Sequence, residues 1–499
     1  MKITFTFLAI LLSAINSNSQ WQSVSRITQG YTDRNPAFGI QPGWNQSFFL
    51  YELMAFTRIV GPYPRVYVMK FGPNGPLDAG TEITTNSVIN DNPTIAYRTG
   101  SMGTSYNITK AMVVWITNIN SYLDIYGSLY NGTSWSSPFP VVVTTEYKSN
   151  PRITCIDTNH FAIVYQTMLG EIYFKRYLNG TWLADTNLTD TEPQPCSNPY
   201  ISVSYSSSTY SLIVSYEKNI SSSQRHVLFR KRNYNTQWTS PDTIAIAGYN
   251  KNSGFVPYVG GGTIYCLFES NRSGKWTVYS TQVNFFSSSL TQDLVVNDPS
   301  ARNTNFAASN IPILVDDPVN FYSVANAYVK RRNDSTRVWG SYGPLYYNGD
   351  TNSIVQLTVG RGVYLSPGTL SYWLVFTKDT LGTLSNLYAA RTIVSLGGVH
   401  KISSEIPEQF SLSQNYPNPF NPNSKIEFQI LKLSDTKLVV FDVLGKEIAT
   451  LVNEQLKPGT YEVDFDGTNF PSGVYFYSIQ IITDDLVQKN QTKKMVLIK

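Results

Sequence analysis

The strongest constraint on the fold is an internal repeat of about fifty residues that fills the middle of the chain. Each copy contains an apolar run that ends in an aromatic residue, and successive aromatic positions lie 48 to 64 residues apart. These positions are Tyr51, Trp115, Tyr165, Tyr216, Phe268, Tyr328 and Phe376. A pair of β-sandwiches is the alternative, but it gives no reason for a near-constant period over seven copies.

Three further features keep phase with the aromatic strand. A chain break precedes it, at Asn35-Pro36, Asn92-Pro93, Asn150-Pro151 and Asn198-Pro199, with Pro257 and Phe306 in equivalent places. An alternating strand with its own aromatic follows, at Tyr67, Tyr126, Tyr173, Phe229, Tyr279, Trp339 and Tyr388. A turn then leads to Trp135, Trp182 and Trp238, and Asn-Gly in such a turn favours a β-hairpin. Each copy therefore predicts four short strands.

Four strands in about fifty residues are typical of a propeller blade, so residues 20–400 are predicted to form a seven-bladed β-propeller. Residues 21–28 (WQSVSRIT) resemble the segment after the turn in other copies but have no strands before them. We expect them to supply the outer strand of the last blade, which would protect the sheet edges. The 34 tyrosines, and an aromatic fraction of 14% that equals the charged fraction, favour an all-β protein.

The N-terminus has the pattern of a secretory signal peptide. Met1-Lys2 is positively charged, Phe5 to Leu12 is apolar, and Ser17-Asn18-Ser19 offers small residues for cleavage before Gln20. Residues 1–19 are therefore predicted to be removed, the alternative being an N-terminal core strand. The apolar run is far shorter than the roughly 20 residues of a membrane anchor, and no transmembrane segment is expected elsewhere.

Composition argues against several functional classes. The net charge is +4, and the longest basic runs, Arg230–Arg232 and Lys330–Arg332, are too short for a nucleic-acid-binding face. Cys155, Cys196 and Cys266 allow one disulfide with one thiol left over, or none. The cysteines and the three scattered histidines lack zinc-ligand spacing, and no nucleotide-binding or hydrolase motif occurs, so neither a metal nor a cofactor is expected.

The repeats partly resemble those of sialidase-like (BNR-type) propellers over residues 21–400. The Asp-box of those proteins reads Ser-x-Asp-x-Gly-x-x-Trp, and Asn131 to Trp135, with its counterparts at Asn179 to Trp182 and Tyr234 to Trp238, retains the turn and the tryptophan. In that family the tryptophan packs between strands, so the resemblance implies architecture rather than activity.

A sialidase needs an arginine cluster, an aspartate acid/base, and a tyrosine nucleophile paired with a glutamate. Candidates of the required types are Arg34, Arg98, Arg152, Glu52, Glu217 and Glu269. Each of the three glutamates directly follows one of the repeated aromatic residues, so we assign them the same position in the repeat. Catalytic residues, by contrast, usually interrupt a repeat pattern. We therefore expect them to satisfy backbone donors or to line the axial channel. A glycosidase pair of carboxylates stays open, because it depends on a separation in space.

The repeat stops near residue 400, and a polar linker at residues 401–409 leads to a different kind of segment. This segment contains FSLSQNYPNPFNP (410–422), VFDVLGKEI (440–448), LKPGTY (456–461), SGVYFY (472–477) and KKMVLIK (493–499). In order and spacing these resemble the type A sorting domain of the bacterial type IX secretion system, across residues 410–499. The matching positions are Gln414, Asn415, Pro417, Asn418, Pro419, Phe420, Asn421, Pro422, Gly445, Gly459, Gly473, Lys494 and Lys499.

Read from its residues alone, this segment is predicted to be a small Ig-like β-sandwich, and the alternative to a sorting domain is an Ig-like module of unknown use. Pro417, Pro419 and Pro422 hold its start extended. Gly445, Gly459 and Gly473 are expected at turns with positive φ.

The resemblance implies export to the periplasm, recognition of the folded domain by the type IX machinery, and its removal by a sortase. The cargo would then be released or linked to surface lipopolysaccharide, in a Gram-negative bacterium of the Bacteroidetes–Chlorobi kind. We expect the propeller to be a non-catalytic module that binds a glycan or a surface protein. The alternative is a sialidase-like glycoside hydrolase.

Overall fold

The computed structural model describes residues 25–28, 31–39, 51–102, 105–206, 209–234, 236–256, 263–274, 277–284, 291–294, 306–310, 319–323, 328–333, 338–344, 354–359, 363–366, 369–378, 386–395, 400–403, 405–467, 470–483 and 488–499. These residues form strands, turns and bends but no helix, so the protein is all-β. They divide into a larger unit, Gln20–Leu365 with Ser371–Ile393, and a C-terminal unit that contains Val394–Lys499 with Ser366–Leu370.

The strands of the larger unit follow in chain order. The first strand is β1 (Ser25–Arg26). The first sheet contains β2 (Thr32–Phe38), β3 (Glu52–Val60), β4 (Tyr63–Gly72), β5 (Gly75–Pro76) and β6 (Thr81–Glu82). The second contains β7 (Asn90–Met102), β8 (Ser105–Thr117), β9 (Asp124–Tyr130) and β10 (Phe139–Val142). The third contains β11 (Lys148–Asp157), β12 (His160–Thr167), β13 (Ile172–Leu178), β14 (Thr181–Trp182) and β15 (Thr186–Asn187).

The later strands continue the pattern. The fourth sheet contains β16 (Cys196–Ser206), β17 (Thr209–Asn219), β18 (Arg225–Asn233) and β19 (Asp242–Ala245). The fifth contains β20 (Asn250–Val256), β21 (Thr263–Ser270), β22 (Thr277–Asn284) and β23 (Thr291–Leu294). The sixth contains β24 (Phe306–Asn310), β25 (Val319–Ser323), β26 (Tyr328–Asn333) and β27 (Val338–Pro344). The last contains β28 (Ile354–Val359), β29 (Val363–Ser366), β30 (Thr369–Lys378) and β31 (Leu387–Ser395).

The N-terminal strand belongs to the last of these sheets. The order in that sheet is β1-β31-β30-β28, with Ser25 opposite Ala389 and Arg26 opposite Tyr388. The predicted placement of residues 21–28 as an outer strand is therefore confirmed for its described part. The other sheets of the larger unit are antiparallel meanders of strands adjacent in sequence, with β6 added beside β4 and β15 beside β13.

Successive sheets pack on one another in a closed order. The first strands β2, β7, β11, β16, β20, β24 and β28 each contact the next, and β28 contacts β2 again. Between the described sheets lie hydrophobic clusters that combine one face of each neighbour, including a cluster between the first and last sheets. Burial of these apolar faces is the main stabilising term for the larger unit.

Aromatic pairs link the second and third strands of several sheets. Tyr165 stacks on Tyr173 at 5.6 Å between ring centroids, and Phe56 stacks on Tyr67 at 5.8 Å. The third-strand residues of these pairs, Tyr67 and Tyr173, are the aromatics that the sequence predicted. In the first sheet, however, the second-strand aromatic of the repeat is Phe56 rather than the predicted Tyr51. The strand register identifies Phe56 as the repeated aromatic. Arg34, the residue before the bulge in β2, lies opposite Thr57, and Thr57 directly follows Phe56.

Later copies also differ from the predicted alignment. In the fifth sheet the bulge falls between Lys251 and Gly254, so Asn252-Ser253 is the equivalent of Asn-Pro, while Pro257 lies outside the described residues. In the sixth sheet Tyr328 begins the third strand and Trp339 lies on the fourth. These copies lack the Asn-Pro and Trp landmarks that fixed the alignment of the earlier ones.

The C-terminal unit consists of two four-stranded antiparallel sheets. One has the order β32-β37-β34-β33, and the other β36-β35-β38-β39. The strands are β32 (His400–Ser403), β33 (Ser411–Leu412), β34 (Asn423–Ile430), β35 (Ser434–Phe441), β36 (Glu447–Leu456), β37 (Gly459–Asp466), β38 (Gly473–Thr483) and β39 (Gln488–Leu497). Both sheets contribute to one hydrophobic core, with Phe428 and Val463 from the first and Val440 and Tyr477 from the second.

The start of this unit differs from the predicted boundary. Residues 401–409 were expected to be a linker, yet β32 pairs with β37, with His400 opposite Glu462 and Lys401 opposite Tyr461. This strand covers the outer edge of β37, which would otherwise present unpaired N–H and C=O groups. The polar composition of the segment therefore reflects an edge strand rather than a linker over residues 400–403.

Candidate functional site

The segment 411–420, which carries the sorting motif, runs along the edges of both C-terminal sheets. Leu412 pairs with Phe428 in β34, and Tyr416 forms an antiparallel bridge with Lys425 of the same strand. The chain then crosses to the other sheet, where Phe420 forms a parallel bridge with Leu497 of β39. One continuous segment thus joins the two sheets at their edge.

Asn415 is the buried centre of this segment. Its side chain is 2% exposed, and Nδ2 donates to the Pro417 carbonyl at 3.1 Å and to Ser424 Oγ at 2.8 Å. Its backbone N–H donates to the Tyr477 hydroxyl at 2.8 Å, and that hydroxyl donates to the Ser413 carbonyl at 2.8 Å. Burial raises the pKa of Tyr477 to about 12, against a smaller lowering by the Asn415 N–H. The tyrosine is therefore a neutral donor at physiological pH.

The other amides of the motif cover the outer edge of β39. The Lys494 carbonyl accepts from Gln414 Nε2 at 2.8 Å, and the Val496 N–H donates to Asn418 Oδ1 at 2.9 Å. The Phe420 N–H donates to the Val496 carbonyl at 2.9 Å. Side-chain amides thus replace the partner strand that the last strand of the chain lacks. The sequence motif is in this sense an edge cover for the C-terminal strand.

The remaining motif positions serve turns or lie at the surface. The Pro422 carbonyl accepts from Gly467 at 2.7 Å, and the Lys499 N–H donates to Ser472 Oγ at 2.9 Å. Gly445 has φ of 76° in the turn after β35, as expected, and Gly459, which begins β37, also has positive φ. The exposed positions of the motif are Gln414, Pro417, Asn418, Pro419, Asn421, Gly445, Lys494 and Lys499.

Gly473 does not have the predicted positive φ. It is the first residue of β38 and pairs with Leu497, so its backbone is that of an ordinary strand. The prediction of a turn at this position rested on the glycine alone. The pairing of β38 with β39 shows that the turn ends one residue before Gly473.

The candidate carboxylates of the larger unit are buried. Glu52, Glu217 and Glu269 are each 0% exposed. Glu217 Oε2 lies 2.6 Å from Arg225 Nη1 and accepts from Asn198 Nδ2 at 3.0 Å.

These carboxylates also differ from the predicted phase. Glu269 Oε2 lies 3.3 Å from Lys251 Nζ, and Glu217 and Glu269 occupy equivalent positions, opposite the residue before the bulge in β16 and β20. Glu52 stands at the start of β3, opposite Phe71, and is out of phase with them. The phase predicted for Glu52 is therefore wrong, and the partners described for Glu217 and Glu269 are side chains rather than the expected backbone donors.

The candidate arginines are held by separate partners. Arg34 Nη2 lies 2.5 Å from Asp91 Oδ2, and Arg152 Nη1 donates to the Pro151 carbonyl at 3.0 Å. Burial lowers the pKa of Arg152 beside Tyr200, and burial raises the pKa of Tyr200 to about 12. After burial, the pKa of Tyr200 is affected by the nearby Arg152, which lowers it, and by Cys266, which raises it.

The Asn-Pro repeat forms joints between neighbouring sheets, a role that sequence reasoning missed. Asn35, Asn92, Asn150 and Asn198 all have φ between 49° and 52°, each at a β-bulge in a first strand. Asn35 Nδ2 donates to Asp91 Oδ1 in the next sheet at 2.7 Å, and Asn150 Nδ2 donates to Asn198 Oδ1 at 3.1 Å. Asparagine tolerates the left-handed conformation better than most residues, which was the available signal.

The tryptophan turns serve the fold. Asn131 Oδ1 accepts from the Thr133 and Ser134 N–H groups at 2.9 Å, and Trp135 packs on Tyr130 at 5.2 Å between centroids. Trp182 packs on Tyr177 at the same distance. The predicted architectural role of the Asp-box-like turns therefore agrees with their contacts.

The remaining sequence candidates show no further site. Cys155, Cys196 and Cys266 are free and buried, and each lies in a different cluster between sheets. Burial raises the pKa of each thiol, which disfavours the reactive thiolate. No group of metal-ligating side chains occurs in the described part of the chain. That part also holds no helix with the length and hydropathy of a membrane span.

Residues 414–497 match the family model described as "Secretion system C-terminal sorting domain". The C-terminal unit carries a type IX sorting domain. The matched range begins at Gln414 and ends at Leu497, so it contains residues 414–420 of the edge segment and the whole of β39, the strand that this segment covers. A protein with such a domain is exported to the cell surface or the medium through the type IX machinery.

Solved structures with propeller-like folds show a distant likeness to this chain over 62% to 95% of its length. A neuraminidase-like protein of subtype N11 from A/flat-faced bat/Peru/033/2010 has 11% identity and a TM-score of 0.38, covering 76% of this chain and 95% of that chain. The phage phi92 endosialidase has 11% identity and a TM-score of 0.37, covering 95% and 87%. The Aleuria aurantia lectin N224Q mutant, in complex with alpha-methyl-L-fucoside, has 13% identity and a TM-score of 0.37, covering 62% and 95%. No curated protein matches the chain. At these identities and scores no activity carries over.

Proposed function

We propose that this protein is a cargo of the type IX secretion system in which a seven-bladed β-propeller, acting as a binding or adhesion module for a glycan or surface protein, is exported by an Ig-like sorting domain. The observation that carries the export function is the match at residues 414–497, together with the edge segment that builds the matched motif into the fold. Residues 1–19 act as the signal peptide, and a sortase removes the sorting domain outside the cell.

The closed order of contacts supports the seven-bladed propeller. The first strands of successive sheets touch in sequence, and the last touches the first. The outer strand of the last sheet comes from the N-terminus, as in a ring closed by strands from both ends of the unit. Such closure removes exposed sheet edges.

The burial of the candidate carboxylates supports binding over hydrolysis. A glycosidase needs two carboxyl groups that reach the glycosidic bond. Glu217 and Glu269 are fully buried and engaged by basic side chains, so neither can contact a substrate in this arrangement.

Export is tested by deletion and by transfer of the C-terminal unit. A chain that lacks residues 400–499 should accumulate in the periplasm, whereas the full chain should reach the surface or the medium. Residues 400–499, fused behind a signal peptide and a fluorescent protein, should export the fusion. A fusion that starts at Phe410 lacks β32 and should be exported less well, because the edge of β37 is then uncovered. Normal export of the deleted chain would contradict the proposal.

The cargo function is tested with purified residues 20–399. We expect saturable binding on a glycan array or to outer-surface proteins, and no turnover of a panel of chromogenic glycosides. Turnover that disappears when a single carboxylate is replaced would instead establish a hydrolase.

A further inference from the structure

Basic and aromatic side chains gather at one end of the interface between the third and fourth sheets. We name this group the arginine cluster; its members are His160, Arg176, Tyr210, Arg232 and Tyr234. His160 begins β12, Arg176 lies on β13, Tyr210 on β17 and Arg232 on β18, with Tyr234 directly after that strand. The members thus come from the second and third strands of both sheets and lie at the same end of the interface.

The pleat of the strands directs the two arginines into this interface. Phe174 lies on the β13 face that packs against the fourth sheet, and Arg176 follows two residues later on the same face. Leu228 lies on the facing side of β18, and Arg232 shares its face four residues later. Arg232 Cζ lies 6.0 Å from the Phe174 ring centroid, so it reaches across to the third sheet.

The positive charge of this cluster is not balanced by carboxylates. Within the described residues, neither Arg176 nor Arg232 has a carboxylate oxygen within ion-pair distance, and Arg232 Nε donates to the Thr236 carbonyl at 2.9 Å. Burial, followed by the nearby Arg176, lowers the pKa of Arg232. The acid of this region, Asp157, faces His160 Nδ1 at 3.7 Å and is largely exposed. Two like charges are therefore held together in a partly buried place, which destabilises the fold unless an anion joins them.

His160 supplies a second, independent sign of a ligand. Its side chain is 6% exposed, and Nε2 is buried without a hydrogen-bond partner. Burial lowers the pKa of His160, and Arg176 and Arg232 lower it further against the effect of Asp157. A buried polar atom without a partner costs free energy, so its persistence beside two guanidinium groups that lack a carboxylate partner points to a polar group absent from the protein itself.

Tyrosine rings extend the cluster to the surface. The Tyr210 ring contacts the His160 ring edge-on at 5.7 Å between centroids and the Tyr234 ring at 5.3 Å. Tyr234 is 50% exposed. An exposed ring with a polar tip suits the apolar face of a sugar, and guanidinium groups suit carboxylate and sulfate oxygens.

We propose that the arginine cluster binds an acidic glycan, with Arg176 and Arg232 on its carboxylate or sulfate group and Tyr234 against the sugar ring. This inference rests on the proposed binding function and names the class of ligand and its place, the interface end between the third and fourth sheets. Both anions present oxygens in the geometry that guanidinium groups bind, so the shared chemistry is an anionic oxygen group on a saccharide.

The test is calorimetric titration of the full chain with three oligosaccharides of equal length: a uronate oligomer, a sulfated oligomer and a neutral oligomer. We expect binding of at least one acidic oligomer and weak or no binding of the neutral one. Arg176→Gln and Arg232→Gln should each weaken acidic binding by about tenfold or more. Tyr234→Ala should weaken it by several-fold. Lys110→Gln, which removes the same charge from the second sheet, is the matched control and should change affinity by less than about twofold.

Thermal unfolding separates a binding role from a structural one. Because Arg176 has a like-charged neighbour and no carboxylate, Arg176→Gln should leave the melting temperature unchanged or raise it while binding falls. A lower melting temperature with unchanged affinity would overturn the inference. Equal weakening by Lys110→Gln would show general attraction of a polyanion and would also overturn it. Binding of glycans that is insensitive to both arginine variants would reject this site and leave the proposed function intact. Absence of binding to every acidic oligomer would reject the inference and leave the export function and protein binding untouched.

Discussion

The two units use the same chemical device on different scales. In both, an asparagine side chain supports the backbone where a regular strand ladder is interrupted. In the larger unit the device is repeated: Asn35 and Asn150 each connect one first strand to the next sheet, and Asn198 accepts from Asn150 and donates to Glu217 within its own sheet. In the C-terminal unit it occurs once, where Asn415 holds the segment that covers β39. Loss of one joint should thus be tolerated better in the repeated structure than in the single one.

The largest effect is expected at Asn415. Asn415→Ala removes the bonds to Ser424 and Pro417 and leaves buried polar atoms unpaired, so the C-terminal unit should lose about 3 kcal/mol of unfolding free energy. Urea unfolding measures this loss, and secretion assays should show reduced export. Asn418→Ala is the control, because Asn418 is exposed and should cost less than about 1 kcal/mol. Equal losses for the two variants would contradict a role centred on Asn415.

A somewhat smaller effect is expected from Glu217 in the larger unit. Glu217→Gln removes the charge that faces Arg225, and breaking this mostly buried pair should cost about 2 kcal/mol. The same variant distinguishes structure from catalysis, since a catalytic role predicts lost turnover without lost stability. Calorimetric unfolding and a chromogenic glycoside assay give both readouts.

A single repeated joint should matter less. Asn198→Ala places a Cβ-bearing residue without a capping amide at φ of 49° and removes the bonds to Glu217 and from Asn150, for a loss of about 1 to 2 kcal/mol. Asn198→Gly keeps the backbone conformation and loses only the amide, so it should be the milder variant. If the alanine variant unfolded the larger unit, the joints could not be the distributed supports that we describe.

The smallest effect is confined to alkaline solution. The pKa of Tyr477 is raised to about 12 in the folded protein, above the usual value of about 10, so folding favours the neutral phenol. Stability from this group is complete below about pH 10 and is lost as the pH rises through about 12, with a loss of about 1 kcal/mol by about pH 11. Urea unfolding of the C-terminal unit at about pH 9 and pH 11 measures it. Tyr477→Phe should show a shallower dependence, and an equal slope would assign the effect to other tyrosines.

Much of the fold was predictable because it depends on short-range patterns. Alternation of apolar residues predicted the strands, and Asn179-Gly180 predicted the hairpin between β13 and β14, which has positive φ at both residues. Residues 21–28 were assigned to the last sheet because they resemble the fourth strand of a copy but have no other strands before them. Ser25 does pair with Ala389 in that sheet.

Register was harder to predict. Tyr51 and Phe56 both follow apolar residues, and only the bulge in β2, which sets Arg34 against Thr57, selects Phe56 as the repeated aromatic. A shift of a few residues changes which side chains face one another, and apolar periodicity by itself does not fix that shift. The phase assigned to Glu52 was wrong for this reason.

By itself the sequence determined the all-β class, the fifty-residue period, the outer strand from the N-terminus and the sorting motif, because each is written in local residue order. Only the tertiary structure decided that Asn-Pro forms a joint between sheets, that the sorting motif covers the last strand, and that Arg176 and Arg232 share one place. These pairs lie far apart along the chain, 48 residues for Asn150 and Asn198 and 80 for Gln414 and Lys494. Their meeting depends on strand register and on the packing of one sheet against another, which no local pattern encodes.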